Sequence, residues 1–422
     1  MNPTEGQGVR VPTYGAVLRV PRYLPIFLAS ALSMWGDYIA RVTIAAMVYE
    51  RTSSPLATAT TLAVSFVPTF FGRSLVGPVV DRFPYKWVLI WSHLLRAACV
   101  LGLMWLALTG SALWLIFLVL FALELVGGAS TASNMVLLTD LFEDRHLYAR
   151  AVGLAAMSEQ FNQALGLAVG GGLIALVGPE TGLLFDLLTF VVAALVILFV
   201  VPLRAVSGDR GRGLRGFIHD LSTAAGDLTR HPVLARLVTL SAVASLGIAA
   251  PEALAIPIAG RNGWGGVLMA APIVGAIVGI VVIGRRDVHQ QNRSIVPLAL
   301  LMPLPLLLTA LAPSTWVVAF LFFASGTLQA FMVPLQATFA LVTEPALRGR
   351  IFSLAGGVSI AAAGVSFLAA GWLGQHTSAH VGVAVCAAAS LVLIAAIAAT
   401  WPHQRVRTAV DHAYATTSSH AA

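Results

Sequence analysis

Twelve windows of about twenty apolar residues, each bounded by charged or turn-forming positions, run the length of this 422-residue chain. They lie near 24–48, 56–79, 87–109, 112–135, 151–174 and 181–201, and, after a gap, near 236–258, 264–283, 295–312, 315–340, 351–373 and 380–401. A helical run of that length matches the hydrocarbon core of a bilayer. Inside lipid, a segment must satisfy its own backbone hydrogen bonds, and helices do so. The expected fold class is therefore an all-α membrane protein with twelve transmembrane helices. The tenth window is unusually long, which predicts tilt or an interfacial overhang.

Composition excludes the soluble alternative. Only 10% of the residues are Asp, Glu, Lys or Arg, against about 25% in ordinary soluble domains. The 38 glycines and 21 prolines would break soluble helices, but spanning helices tolerate both because neighbouring helices re-satisfy freed backbone groups. The first window continues past Asp37 and Arg41 toward Met47, longer than a signal-peptide core, and is expected to be retained as the first helix. Cys99 and Cys386 both fall inside apolar windows, so neither a disulfide framework nor a thiolate metal site is expected.

The gap divides the chain into a terminal segment (1–23), a first six-helix half (24–201), a linker (202–235), a second six-helix half (236–401) and a tail (402–422). The linker interleaves Arg204, Arg210, Arg212, Arg215 and Arg230 with Asp209, Asp220 and Asp227, and its stretch 214–228 has the spacing of a helix lying on the membrane surface. Placing the N-terminus in the cytoplasm assigns twenty of the 25 basic residues to the terminal segments and cytoplasmic loops. Arg51 and Arg261 alone then lie in opposite loops, while Arg41, Arg73 and Arg96 fall within spans. That asymmetry predicts cytoplasmic termini in a cell (inner) membrane. The net charge of +7 follows from topology, and its scatter over short loops argues against nucleic-acid binding.

An internal repeat supports the division into halves. Leu141, Leu147, Arg150, Leu154, Ala155, Gly171 and Leu173 recur two hundred residues later as Leu341, Leu347, Arg350, Leu354, Ala355, Gly371 and Leu373. Parallel six-helix repeats are one transporter architecture, with the substrate path between the halves.

The loop between the second and third windows reads Gly77-Pro-Val-Val-Asp81-Arg82-Phe-Pro-Tyr-Lys86. With it the chain resembles the major facilitator superfamily, whose signature loop matches at Gly77, Asp81, Arg82 and Lys86. Pro84 and Tyr85 depart from that signature. Asp81 is expected to latch the two halves on the cytoplasmic side, against the start of the eleventh window at Arg348 and Arg350, where a helix N-terminus and guanidinium groups both favour a carboxylate. The run Gly166-Leu-Ala-Val-Gly170-Gly171 is similar to an antiporter signature of the same superfamily, with Leu167 in place of the usual Pro. Its simpler reading is small-residue packing, which lets helices approach closely.

Acids inside the spans carry the functional argument, because a carboxylate at the centre of a membrane helix costs roughly 2.5 to 3.5 kcal/mol and faces a partner or a wet cavity. Asp37, Glu124, Glu159, Asp186 and Glu252 qualify. Arg41 follows Asp37 by one helical turn, so the two are expected to pair. Trp35-Gly-Asp37-Tyr-Ile-Ala-Arg41 resembles the first helix of the drug and siderophore exporters within the superfamily. Glu124 has no basic residue one turn away on its own helix, as a proton carrier requires, although Arg96 is a candidate partner across the bundle. Glu159 sits in the polar run with Gln160, Asn162 and Gln163, and one face of that helix is expected to line a cavity. Glu252 lies beside Pro251 on a helix expected to kink, whereas Asp186, a few residues inside the outer boundary of its span, is expected to cap that end or reach the headgroups. His376 and His380 are four apart in an external loop without a nearby carboxylate, so no metal site is expected.

The expectation is a secondary active transporter without a cofactor, working by alternating access as a monomer. Proton-coupled export of a small amphipathic or cationic molecule is favoured, with Asp37, Arg41, Glu124, Glu159 and Glu252 as the coupling or cavity residues. An uptake symporter of the same fold is the nearest rival. A membrane-embedded lipid-handling protein or enzyme is less favoured, since no reactive cluster is apparent.

Overall fold

The computed structural model describes residues 13–75, 83–142, 144–203, 230–260, 263–312, 314–344 and 347–402, with isolated positions in 223–228 and 404–408. Within them lie twelve long helical segments. The first six are α1 (Tyr23–Thr52), α2 (Pro55–Leu75), α3 (Tyr85–Leu108), α4 (Leu113–Leu141), α5 (Arg145–Val177) and α6 (Pro179–Val200). The second six are α7 (Pro232–Ala259), α8 (Gly265–Ile283), α9 (Val288–Leu311), α10 (Thr315–Val342), α11 (Arg348–His376) and α12 (Ala379–Ala399). A short helix, Tyr14–Leu18, precedes α1.

Among the described residues, nine of these segments (α3, α4 and α6 to α12) are long and apolar enough to cross a membrane. The others are diluted by polar residues or only partly described. Asp37, Arg41, Glu50 and Arg51 interrupt α1, Glu159 to Gln163 interrupt α5, and α2 contributes the shorter apolar stretch Pro55–Phe66. Large apolar side chains such as Leu118, Leu195, Phe199, Phe320 and Val392 are exposed on the outside of the bundle. Water would penalise such a surface and lipid would not, so this is a multi-pass membrane protein.

Two segments carry breaks that the window pattern did not signal. In α10 a 3-10 turn, Gln329–Phe331, separates Thr315–Leu328 from Met332–Val342. In α9 the helix stops at Leu301 and resumes at Leu304, because Pro303 and Pro305 lack the N–H groups that would continue it. There the Leu306 N–H turns to the Pro303 carbonyl at 3.1 Å. The Met302 carbonyl that this frees accepts a hydrogen bond from the buried Ser325 hydroxyl of α10 at 2.9 Å. Ser325→Ala should therefore lower the thermal stability of the detergent-solubilised protein by about 1 to 3 kcal/mol, the usual penalty for a stranded buried acceptor. An unchanged melting temperature would reassign that carbonyl to another donor.

Helix α1 packs on α5 and α6, α3 on α4 and α6, and α2 on α4. In the second half α7 packs on α11 and α12, and α8 on α10. The halves meet most extensively through α2 with α11 and α5 with α8, and less so through α2 with α7. A continuous core joins them: Val42, Leu62 and Leu167 from the first half pack with Leu254, Leu268 and Phe367 from the second. Phe66 stacks on Phe367 at a centroid distance of 5.2 Å.

We call the end of the bundle where α1 begins the proximal face and the opposite end the distal face. Contacts between the halves are tight at the distal face. Ser54 donates to Gln375 at 2.8 Å, and Gly171 of α5 lies so close to Gly266 of α8 that a Cβ on Gly171 would sit 2.7 Å from the Gly266 backbone nitrogen.

Candidate functional site

Along α1, Asp37 and Arg41 are one turn apart, so both side chains leave the helix toward the same interior space. His93 and Arg96 stand at helical spacing on α3, and Asp186, Thr189 and Phe190 do so on α6. The packing of α1, α3, α4 and α6 brings these stripes together around a cavity of about 600 Å³. Its walls start near the proximal face at Tyr23, Ile26 and Leu141 and reach past Asp37 and Glu124 to Ile44 and Leu120. All residues lining it belong to α1 to α6.

The ion pairing differs from the one expected along the chain. Asp37 does not take Arg41, its neighbour by one turn; it accepts a hydrogen bond from Nη2 of Arg96 on α3 at 2.6 Å. Arg41 instead stands between two helices, with Nη2 at 3.9 Å from Glu124 Oε1 on α4 and Nη1 at 4.0 Å from Glu252 Oε1 on α7. Both separations are ion-pair distances and too long for hydrogen bonds. A same-helix pair must bend two side chains along one surface. A cross-helix pair in a packed bundle lets each reach straight across, and buried groups bond wherever the geometry is best. Ser65 of α2 also hydrogen-bonds Glu124.

Arg96 is buried, with its guanidinium 4.3 Å above the Phe190 ring. Space for it comes from Gly127 on α4, where an added Cβ would meet the guanidinium carbon at 3.6 Å. Arg41 lies 5.4 Å from the Tyr38 ring. These aromatic faces help offset the cost of withdrawing two cations from water.

Glu159 is exposed and lines the cavity from α5. Glu252 lies outside the cavity wall and joins the cluster through Arg41. Asp186 departs most from expectation. It does not cap the outer end of α6 but is 1% exposed, lining the cavity beside Arg96 and Asp37. Helix α6 starts at Pro179, two turns earlier, so Asp186 is already inside the bundle and covered by α1 and α3. His93 was missed altogether: it is buried, lines the cavity and packs 6.0 Å from Phe190. The available signal was its spacing of three from Arg96 within an apolar run.

The expected latch residues Gly77, Asp81 and Arg82 lie outside the described residues, as do the side chain of Arg350 and most of the amphipathic linker stretch. Lys86 sits at the start of α3. Gly166 and Gly170 face α1, where a Cβ would meet Trp35 and Tyr38 in the first case and the Ile39 backbone in the second. Gly171 faces α8.

Comparison with known proteins agrees with this architecture. The Major Facilitator Superfamily matches residues 26–301. Two Bacillus subtilis (strain 168) proteins are similar over 176 residues: the uncharacterized MFS-type transporter YkuC at 26% identity and the uncharacterized MFS-type transporter YvqJ at 22%. Each alignment covers 42% of this chain, and 40% and 42% of the respective relatives, so the chain matches less than half the length of either. The crystal structure of the nucleoside transporter NupG superimposes with a TM-score of 0.68 at 12% identity, covering 90% of this chain and 98% of that one. A bacterial homologue of the iron transporter ferroportin superimposes with a TM-score of 0.64 at 17% identity, covering 89% and 97%. At such identities the likeness is one of fold.

Proposed function

The chain belongs to the major facilitator superfamily and is a transporter rather than an enzyme, and from that premise we propose that it exports small cationic or amphipathic molecules in exchange for protons. The observation that carries this reading is the make-up of the cavity wall. Four carboxyl groups (Asp37, Glu124, Glu159 and Asp186) face two guanidinium groups (Arg41 and Arg96) among apolar side chains such as Ile26, Phe27 and Met135. Such a wall attracts a positive charge and shelters an apolar body.

With the proximal face toward the cytoplasm, as the arginine distribution predicts, the cavity is positioned to take cargo from the cell interior while the packed distal ends close the other side. Protonation of wall carboxyls would then remove the attraction and favour release outside, a population shift driven by differential binding of proton and cargo. Asp37 and Glu124 are the leading coupling residues. Glu252 is the carboxyl through which the second half senses the charge of Arg41.

The test is transport in sealed vesicles containing the purified protein, with ethidium as a cationic amphipathic probe. An acid interior should drive ethidium in as protons leave. Asp37→Asn and Glu124→Gln should each reduce gradient-driven accumulation by about 5- to 150-fold, the usual span of coupling between two bound species. Accumulation only under the reversed gradient would assign symport instead, and wild-type behaviour in both variants would remove these residues from the coupling role.

A further inference from the structure

Arg96 is the nearest cation to two carboxyl groups, yet its hydrogen bond goes to one of them. Asp37 takes that bond at 2.6 Å and keeps contact with the cavity, its side chain being 29% exposed. Asp186 is 1% exposed; the Thr189 hydroxyl hydrogen-bonds its carboxyl group, but its Oδ1 has no hydrogen-bond partner. Arg96 Nε is likewise buried without an acceptor, so a donor and an acceptor stand unused within one cluster. His93, three residues before Arg96, also has a buried ring nitrogen, Nδ1, without a partner.

Charge bookkeeping decides between the two acids. The groups facing this point are Asp37 and Arg41 from α1, His93 and Arg96 from α3, Glu124 from α4 and Asp186 from α6. Arg41 is engaged by Glu124 and Glu252, which leaves Arg96 as the cation for both Asp37 and Asp186. An ionised carboxylate that is buried, with one oxygen unbonded and no cation of its own, is strongly unfavourable, whereas a neutral carboxylic acid is tolerated.

We propose that Asp186 holds the exchangeable proton of this site and that Arg96 is shared, turning from Asp37 to Asp186 when that proton leaves. The proton departs to cavity water, and the carboxylate it leaves on Asp186 takes the guanidinium. Asp37, released into the cavity, becomes the anion that receives a cationic substrate. Return of a proton to Asp186 restores the Asp37–Arg96 pair and displaces the substrate. The two cations thus compete without touching the same atom. This assignment rests on the proton-exchange reading above and moves its proton from Asp37 or Glu124 to Asp186.

Infrared difference spectroscopy of the full-length protein in lipid nanodiscs, titrated in pH, tests the assignment directly through the C=O stretch of protonated carboxyl groups. The wild type should show a protonated-carboxyl band that is lost as the pH rises. Asp186→Asn should lack that band, Asp186→Glu should shift its frequency, and Asp37→Asn should move its loss to lower pH, because Arg96 is then free to pair with Asp186. A band that survives in Asp186→Asn, or that is absent from the wild type, would overturn the proposal. Ethidium-driven proton movement in sealed vesicles is the separate measurement for exchange. If the wild type moves no protons while its band behaves as expected, antiport fails and the assignment of the buried proton to Asp186 stands. Unfolding of Asp186→Asn is monitored by gel filtration, and Asp186→Glu supplies the readout if that variant is lost.

Discussion

Replacing Arg96 with Met should destabilise the protein by about 3 to 5 kcal/mol and abolish probe transport. The guanidinium is buried, bonds Asp37 at 2.6 Å and lies over Phe190. Removing one member of a buried pair leaves the other charged and unsatisfied, and that residual charge accounts for most of the loss. A side chain of similar length keeps the space between Gly127 and Phe190 filled, so packing contributes little of the effect. Adding Asp37→Asn to the same variant should recover much of the stability, because the carboxylate that needed the cation is then neutral. Transport should not return. Thermal unfolding in detergent measures the first effect and vesicle uptake the second; a single variant as stable as the wild type would mean that Arg96 has no structural hold on Asp37.

The second large effect is expected at the contact between the halves. An alanine Cβ at Gly266 would collide with the Leu167 carbonyl and stand 2.6 Å from the Gly171 backbone nitrogen. These are backbone atoms of α5, so no rotamer change relieves the contact, and the two helices must separate. Overpacking of this kind costs about 1 to 3 kcal/mol. It falls only on states in which the distal ends are closed, so Gly266→Ala should shift the protein toward the distally open state by about 5- to 150-fold. Labelling a Ser54→Cys reporter with a membrane-impermeant thiol reagent, after replacing Cys99 and Cys386, reads the opening. Equal labelling in the two backgrounds would show that this contact does not govern the distal gate.

Both effects depend on contacts that no segment of the chain announces by itself. Gly266 stands in the ordinary glycine-rich start of an apolar run, and nothing nearby marks it as the point where α5 crosses α8. The Gly166, Gly170 and Gly171 group was visible as a small-residue pattern, but not that its first two members face α1 and its third faces α8. Asp37 and Arg41 looked like a pair because their spacing on one helix is known from sequence. Arg96 became the partner because α3 places it across the cavity at bonding distance. Asp186 was misread for a related reason: depth along a helix can be counted from the sequence, but cover by neighbouring helices cannot.

By itself the sequence determined the apolar helical architecture and the short roster of ionisable residues held among apolar ones. Each follows from the energetics of one segment against lipid, where run length and charge content suffice. Tertiary structure alone decided which acid meets which arginine, which polar atoms stay unpaired, and where a cavity opens. Those outcomes depend on the rotation and offset of each helix against its neighbours, and a shift of one residue in that packing exchanges every partner.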